Sequence, residues 1–174
     1  VDVRAGGLQH AERAEGVEIG LRALVGGRQA CVSASDHSER TIAEMALRAV
    51  TMAREAPVDD TLGLADPEQL ARDTDNRRLD LTDNAPEPDP ATLQDLALRA
   101  EAAALAVDGI SKVESASASH SQRGIWLAAS NGFSAGYGRS SYSLSAIAIT
   151  GDGLAMERDW AGESRIHASD MPSP

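Results

Sequence analysis

Two glycine-containing turns limit what this chain can fold into, because each lies next to segments with the period of a β-strand. Gly26-Gly27 follows residues 17–25, in which apolar and polar side chains alternate, and a second strand-like run comes after it. Asn131-Gly132 is the strongest hairpin signal in the chain, since tight primed turns need positive φ. Hairpins pair their strands antiparallel, so the sequence predicts antiparallel meanders.

Two amphipathic helices are predicted between the strands. Apolar residues recur at helical spacing after Asp36, where Glu39 three positions later fits a capping box, and Pro57 ends this pattern. A second helix is predicted at residues 90–107. Its apolar stripe is formed by Leu93, Leu96, Ala97, Ala100, Ala103, Ala104 and Val107.

The order of strands, helix, connector, helix and strands predicts an α+β fold, with antiparallel meanders packed against the two helices. Residues 58–89 are rich in Asp and Pro and predict a polar surface connector with one short helix that begins at Asp66. We therefore expect a hairpin-plus-helix unit at residues 1–57, this connector, and a helix-plus-strands unit at residues 90–174.

Turn residues divide the strand-rich parts further. A first strand is predicted at residues 8–15, before Gly16. In the last unit, separate strands are predicted at residues 110–121 and 125–130, and the final strand at residues 154–160. The glycines of the long strand after residue 132 predict a bulge or a bend at positions 136 and 138.

The charge balance limits the partners that this chain can have. It carries 27 acidic against 16 basic residues, a formal net charge of -11, and no run of Lys or Arg. Nucleic acid and anionic membrane surfaces would be repelled, so neither is an expected partner. No apolar run approaches the ~20 residues that a membrane-spanning helix needs.

Cysteine usage favours a reducing compartment. Cys31 is the single cysteine, so no disulfide can form within the chain, and we expect a cytoplasmic protein. Its position in an apolar strand predicts a small buried side chain. The chain begins at Val1 rather than Met and ends at Pro174 without a closing element, so we expect a piece of a longer protein.

No catalytic motif is present in the sequence. The four histidines, His10, His37, His120 and His167, form no HExxH or HExxxH motif and no cluster with cysteine, and a GxSxG motif is also absent. We therefore expect neither a catalytic residue nor a metal ligand within residues 1–174. His167 is expected to lie in a frayed tail.

Serines alternate along the strands that flank the Asn131-Gly132 turn, which places sets of them on one face. One interpretation is a polar sheet face in water. The other is a surface of small hydroxyl side chains that an extended peptide can approach closely, in the way that peptides add to sheets. The residues predicted to bind peptide are Ser117, Ser119, Ser130, Asn131, Ser141 and Ser143.

Four stretches taken together resemble the PmbA/TldD family, which is also named for modulation of DNA gyrase. They are the hairpin at residues 20–34, RAVTMAREAP at 48–57, SASASHS at 115–121, and SNGFSAGYGRSSYSLS at 130–145, with Met-Glu-Arg-Asp at 156–159 after it. Their order and spacing match along nearly the whole chain. The details are closer to the PmbA side of the family, also called TldE, than to TldD.

The resemblance implies a longer parent protein whose back region is absent from these residues. It implies that TldD-type members are zinc metalloproteases with an HExxxH motif, and that PmbA-type members usually lack the motif and pair with TldD in a heterodimer. Zinc is then expected in the intact assembly, whereas the family's zinc ligands have no matching positions here. The implied partners are a TldD-like subunit or a second copy, and an extended peptide substrate.

Two functions follow from these observations. The first is the scaffold and peptide-guiding region of a metalloprotease subunit, the non-catalytic PmbA-like one, acting in peptide maturation or degradation. The alternative is a protein-interaction adaptor that takes no part in proteolysis. The sequence supports both, because neither requires a catalytic residue within residues 1–174.

Overall fold

Seven strands and two α-helices make up the computed structural model, which describes residues 1–174. Single turns of 3₁₀-helix occur in the connector and near the C-terminus. The strands and helices are β1 Asp2–Arg4, β2 Gly7–His10, β3 Ile19–Leu24, β4 Gln29–Ala34, α1 Glu39–Glu55, α2 Pro90–Leu105, β5 Ile110–Ala128, β6 Ser134–Thr150 and β7 Glu157–Arg165. The two helices and the antiparallel pairing of every strand confirm the predicted α+β class.

The chain forms two compact units whose boundaries differ from the predicted division. We call the first the sheet unit; it contains residues 1–12, 71–129 and 133–174. The second, the hairpin unit, contains residues 13–70 and the turn at 130–132. The connector predicted at residues 58–89 is thus shared between the units, and each unit is described here by itself.

The hairpin unit is built on β3 and β4, which pair antiparallel. Gly26 and Gly27 both have positive φ, 55° and 70°, which is the two-residue primed turn that the sequence predicts. Helix α1 packs against this hairpin through Met45, Ala49 and Ala53, which are buried at intervals of four residues. The predicted burial of the strand cysteine is wrong, because Cys31 lies on the exposed face.

Helix α1 begins two residues later than the predicted capping box requires. Its N-cap is Ser38, whose hydroxyl accepts a hydrogen bond from the Thr41 amide at 3.3 Å. Asp36 instead accepts hydrogen bonds from the Ser38 amide and hydroxyl, both at 2.9 Å. Asp36 therefore orders the turn before the helix, and the hydroxyl, which is closer to the helix end, forms the cap.

The sheet unit contains a five-stranded sheet in the order β2-β1-β5-β6-β7. Helix α2 packs on one side of it and contacts β1, β5 and β6. Asp89 caps this helix by accepting a hydrogen bond from the Thr92 amide at 2.6 Å. The core between helix and sheet consists of small and aliphatic side chains: Val3, Ala97, Ala100, Val113, Ala116, Ala118 and Leu144.

A buried carboxylate joins α2 to the β1–β2 turn. Glu101 is only 4% exposed and accepts hydrogen bonds from the amides of Ala5 at 2.5 Å and Gly6 at 2.9 Å. Both turn residues have positive φ, 51° and 72°, so the turn directs two adjacent N–H groups at the helix. The predicted strand at residues 8–15 is replaced by this short hairpin, and its second half lies outside any strand.

Strand β5 continues through the gap that the sequence predicts between residues 121 and 125. Its pairing with β6 runs without interruption from Ser115 to Ala128, and the register shifts lie near the start of β5. The pairing therefore contains no bulge at Gly136 or Gly138. At Gly136, a Cβ would overlap the Ile125 carbonyl oxygen and the Trp126 ring, so glycine is needed there for close approach between the strands.

Two further differences concern turns. The β5–β6 loop closes with a hydrogen bond from the Ala129 amide to the Phe133 carbonyl, at 2.9 Å, and only Gly132 in it has positive φ. It is a three-residue loop with glycine at its left-handed position, the alternative to a two-residue primed turn. The last strand, β7, lies at Glu157–Arg165 and not at residues 154–160, where a 3₁₀ turn comes first.

Candidate functional site

The face of the sheet opposite α2 carries the predicted serines. Alternate β5 residues Ala116 and Ala118 are buried beneath the helix, so the residues between them face away from it. In the β5–β6 register, Ser117 pairs with Ser145, Ser119 with Ser143, and Ser121 with Ser141; β7 adds Gly162 and Ser164. Because directly paired residues share a face of a sheet, these side chains form one continuous surface. We call this surface the serine face; it consists of Ser117, Ser119, Ser121, Ser141, Ser143, Ser145, Gly162 and Ser164.

Hydroxyl groups on the serine face are partly engaged with one another. The Ser164 hydroxyl lies 3.0 Å from that of Ser141 and accepts a hydrogen bond from Ser143 at 3.1 Å. The Ser117 hydroxyl donates to the Asp2 carboxylate of β1. Ser119 is exposed and makes no side-chain hydrogen bond within the chain. A serine hydroxyl both donates and accepts, so this surface can bond to peptide N–H and C=O groups alike.

The structure separates the six predicted peptide-binding residues into two groups. Ser117, Ser119, Ser141 and Ser143 lie together on the serine face. Ser130 and Asn131 lie in the three-residue loop, which belongs to the hairpin unit, where the Asn131 amide donates to the Ala65 carbonyl at 2.9 Å. The Asn131-Gly132 turn signal already separates Asn131 from the strand serines, whereas Ser130, predicted at the end of a strand, lies in the loop instead.

Sequence reasoning missed a polar network on the helix side of the sheet, around Asp83. The Asp83 carboxylate accepts hydrogen bonds from the amides of Ala85 and Ala168, both at 2.8 Å. Ser140 is only 1% exposed. Its hydroxyl accepts a hydrogen bond from the Asp83 amide at 2.7 Å and donates one to the Ile166 carbonyl at 3.0 Å. The network therefore fastens the connector and the C-terminal segment to β6.

Two rings complete this network. The Tyr142 residue is buried, and its ring centroid lies 4.6 Å from that of His120. His167 lies between two carboxylates: its Nε2 is 3.2 Å from Asp80 Oδ2 and its Nδ1 is 3.9 Å from Asp83 Oδ1. The prediction of a frayed tail at His167 is therefore wrong, since the side chain is only 26% exposed.

The hydrogen bonds to Asp83 favour the charged form of its carboxyl group. Hydrogen bonds from the Ala168 amide, and then from the Ala85 amide, hold the pKa of the Asp83 carboxyl below its usual value. Burial, and then the neighbouring Asp83 charge, raise the pKa of Tyr142.

The stabilisation from a carboxyl with a lowered folded pKa is complete above its unfolded pKa, about 3.9, and is lost as pH falls through the folded value. We expect Asp83→Asn to be less stable than the parent chain at pH 6, and the difference to shrink towards pH 2.5. Urea denaturation at a series of pH values measures this. Asp66→Asn, in the hairpin unit, is the control, and a difference that stayed constant with pH would contradict the assignment.

These residues do not suit a zinc ion. No group of three or more His, Cys, Asp or Glu side chains within residues 1–174 is placed to hold a metal. In the Asp83 network, the two carboxylates contact different nitrogens of the His167 ring. Those nitrogens point away from each other, so the three side chains cannot converge on one tetrahedral ion.

None of the helices has both the length and the hydropathy needed to cross a membrane.

Comparison with known families identifies the chain. A family model described as the PmbA/TldA metallopeptidase central domain matches residues 83–173, more than half of the chain. A second model, PmbA/TldA metallopeptidase domain 1, matches residues 1–53. The chain belongs to the PmbA/TldD family. The serine face lies within the part of this PmbA/TldD chain that matches the central-domain model.

Curated relatives agree with this family. Metalloprotease PmbA from Escherichia coli O157:H7 is 33% identical over 176 residues, which cover 100% of this PmbA/TldD chain and 38% of the relative. A Metalloprotease PmbA homolog from Haemophilus influenzae is 30% identical over 161 residues, covering 92% of this chain and 35% of the relative. The chain thus spans well under half the length of these relatives.

Solved structures share the fold of this PmbA/TldD chain. A protein described as a modulator of DNA gyrase from Bacteroides thetaiotaomicron matches with a TM-score of 0.77 and 20% identity, over 99% of this chain and 39% of that one. TldE from Thermococcus kodakarensis matches with a TM-score of 0.71 and 14% identity, over 95% and 37%. At these identities the likeness concerns the fold alone.

Proposed function

We propose that this chain is the scaffold and peptide-guiding region of a PmbA/TldD-type metallopeptidase subunit, the non-catalytic PmbA-like one. The observation that carries the proposal is the serine face: small side chains on three adjacent strands, opposite the helix that supports the sheet. A peptide backbone can approach such a surface closely, and hydroxyl groups bond to any peptide backbone regardless of its side chains. Sequence-tolerant binding of an extended peptide follows.

Zinc, in this proposal, is held outside residues 1–174. The catalytic subunit would be a TldD-like partner, or a second copy would complete the assembly, and the product would be a matured or degraded peptide. A reducing cytoplasm suits the exposed Cys31 thiol. Metal analysis of the purified chain tests the zinc statement: we expect far less than one zinc per chain, and one tightly held zinc would contradict it.

Substituting the serine face tests peptide guiding. We expect Ser143→Arg to weaken binding of a neutral extended peptide by about tenfold or more, which corresponds to roughly 1.4 kcal/mol, because the long side chain covers the surface. Ser143→Val blocks close approach without adding charge and is expected to act in the same direction. Fluorescence anisotropy with a labelled peptide, N-acetylated and C-amidated, measures the dissociation constant.

The matched control is Ser169→Arg, which places the same side chain on a 3₁₀ turn outside the sheet and should leave peptide affinity unchanged. Equal affinities for the parent chain and both Ser143 variants would reject the peptide-guiding role. If the Ser143 variants also still bound a TldD-like subunit, the adaptor function would then be the better account.

A further inference from the structure

The β5–β6 hairpin differs in charge from the rest of the chain. Residues 115–150 contain no Asp or Glu, although the whole chain carries 27 acidic residues and a net charge of -11. The same segment contains two arginines, Arg123 and Arg139. A basic region without acids is therefore set into an acidic protein, and both of its charges lie on one hairpin.

The two arginines lie directly opposite each other. Arg123 pairs with Arg139 in the β5–β6 register, and both side chains are exposed. Neither guanidinium takes part in a hydrogen bond or ion pair within the chain, whereas Arg77, Arg99 and Arg158 are each bonded to a carboxylate. Like charges opposite each other on neighbouring strands are destabilising. An anion placed between them would remove that repulsion.

The surface around this arginine pair suits an extended polypeptide that carries an acidic side chain in the middle of its length. Arg123 and Arg139 continue the serine face, next to the paired Ser121 and Ser141. The next pair on the same face is Ile125 with Tyr137, which are each 42% exposed. The face thus continues on both sides of the charges, with hydroxyls on one side and apolar side chains on the other, so a bound chain can run past the arginines in both directions.

We propose that Arg123 and Arg139 form a specificity site that binds the acidic side chain of an extended peptide lying on the serine face. This rests on the proposed peptide-guiding function and adds a substrate class to it: peptides with an internal Asp or Glu flanked by an apolar residue. The guanidinium fork matches carboxylate geometry and favours it over neutral side chains. The net charge of -11 repels acidic ligands at long range, so a preference for them requires a local site.

Three labelled peptides test the proposal on the full chain. They are N-acetylated and C-amidated, contain Ser, Thr and Leu, and differ at one central position, which is Glu, Gln or Lys. By fluorescence anisotropy at low salt we expect the Glu peptide to bind about fivefold more tightly than the Gln peptide, within the range of exposed ion pairs. The preference should shrink as salt screens the charges.

Substitutions at Arg123 and Arg139 test whether this pair causes the preference for the Glu peptide. Arg123→Gln/Arg139→Gln should lose the preference, so that it binds the Glu peptide no more tightly than the Gln peptide. Arg123→Lys/Arg139→Lys keeps both charges and should retain part of the preference, which separates charge from any change in folding. Arg72→Gln, an exposed arginine in the same unit, should leave the preference intact.

Each outcome bears on one proposal or both. Equal binding of the Glu and Gln peptides by the parent chain would overturn the specificity site and leave peptide guiding in place. A Glu preference that survives in Arg123→Gln/Arg139→Gln would overturn it as well. Failure of all three peptides to bind would reject peptide guiding itself. Sedimentation would show whether the chain forms a dimer that the Glu peptide dissociates. Such a result would identify a second copy of the chain as the occupant of this surface and would reject the proposal.

Discussion

Replacing Glu101 with alanine is expected to lower the free energy of unfolding of the sheet unit by about 3 kcal/mol, because hydrogen bonds to a charged group are each worth roughly 1.5–3 kcal/mol. The substitution removes the buried carboxylate that accepts hydrogen bonds from the amides of Ala5 and Gly6, and so it frees the β1–β2 turn from α2. Glu101→Gln should cost less than alanine, since one amide oxygen can still accept one of the two bonds.

Urea denaturation measures the Glu101 effect, and amide hydrogen exchange of β5 shows that it belongs to the sheet unit. Asp95→Asn is the matched control on the same helix. Asp95 forms an exposed ion pair with Arg99 at 3.0 Å, and removing such a pair should change stability by no more than about 0.5 kcal/mol. Equal effects of the two substitutions would show that Glu101 does not hold the turn.

Enlarging Ala97 to leucine is expected to destabilise the sheet unit by about 2–3 kcal/mol, within the range of overpacked cores. Ala97 has no exposed surface and belongs to the same core cluster as Ala116 and Ala118, between α2 and the sheet. These small side chains bring the helix close to the strands, so a larger one must push them apart or leave its preferred rotamer.

The same substitution elsewhere on α2 provides the control for Ala97. Ala103→Leu adds the same volume at an exposed position of the helix and should leave the free energy of unfolding within about 0.5 kcal/mol, as surface substitutions generally do. Thermal or urea denaturation compares the two variants. If Ala97→Leu were as stable as Ala103→Leu, the close packing of helix and sheet described above would be contradicted.

Local patterns were sufficient to predict most secondary-structure elements and the serine face. The alternation of serines is visible in the sequence, and the hairpin at Asn131-Gly132 sets which serines lie opposite each other. Pairing proceeds without a shift from Ala128–Ser134 beside the loop to Ser115–Ile147. The face therefore follows from a period of two and one turn, both of which are properties of neighbouring residues.

Long-range contacts were not visible in the sequence. The apolar stripe predicted for α2 included Ala103, which is exposed, and omitted Glu101, which is buried. A glutamate is buried only when partners exist, and these lie 95 and 96 residues away in the β1–β2 turn. For the same reason, no local pattern indicated that Asp83 and Ser140 bond to each other across 57 residues.

The most direct test of the central claim is to locate a bound peptide on the sheet. A neutral extended peptide with a spin label at its centre is added to the ¹⁵N-labelled chain, and the line broadening of each amide is measured by NMR. The account predicts the strongest broadening at the amides of Ser119, Ser143 and Ser164, and weak broadening along α2, which lies on the opposite side of the sheet. Strongest broadening on α2, or at Ser130 and Asn131 in the loop, would contradict it.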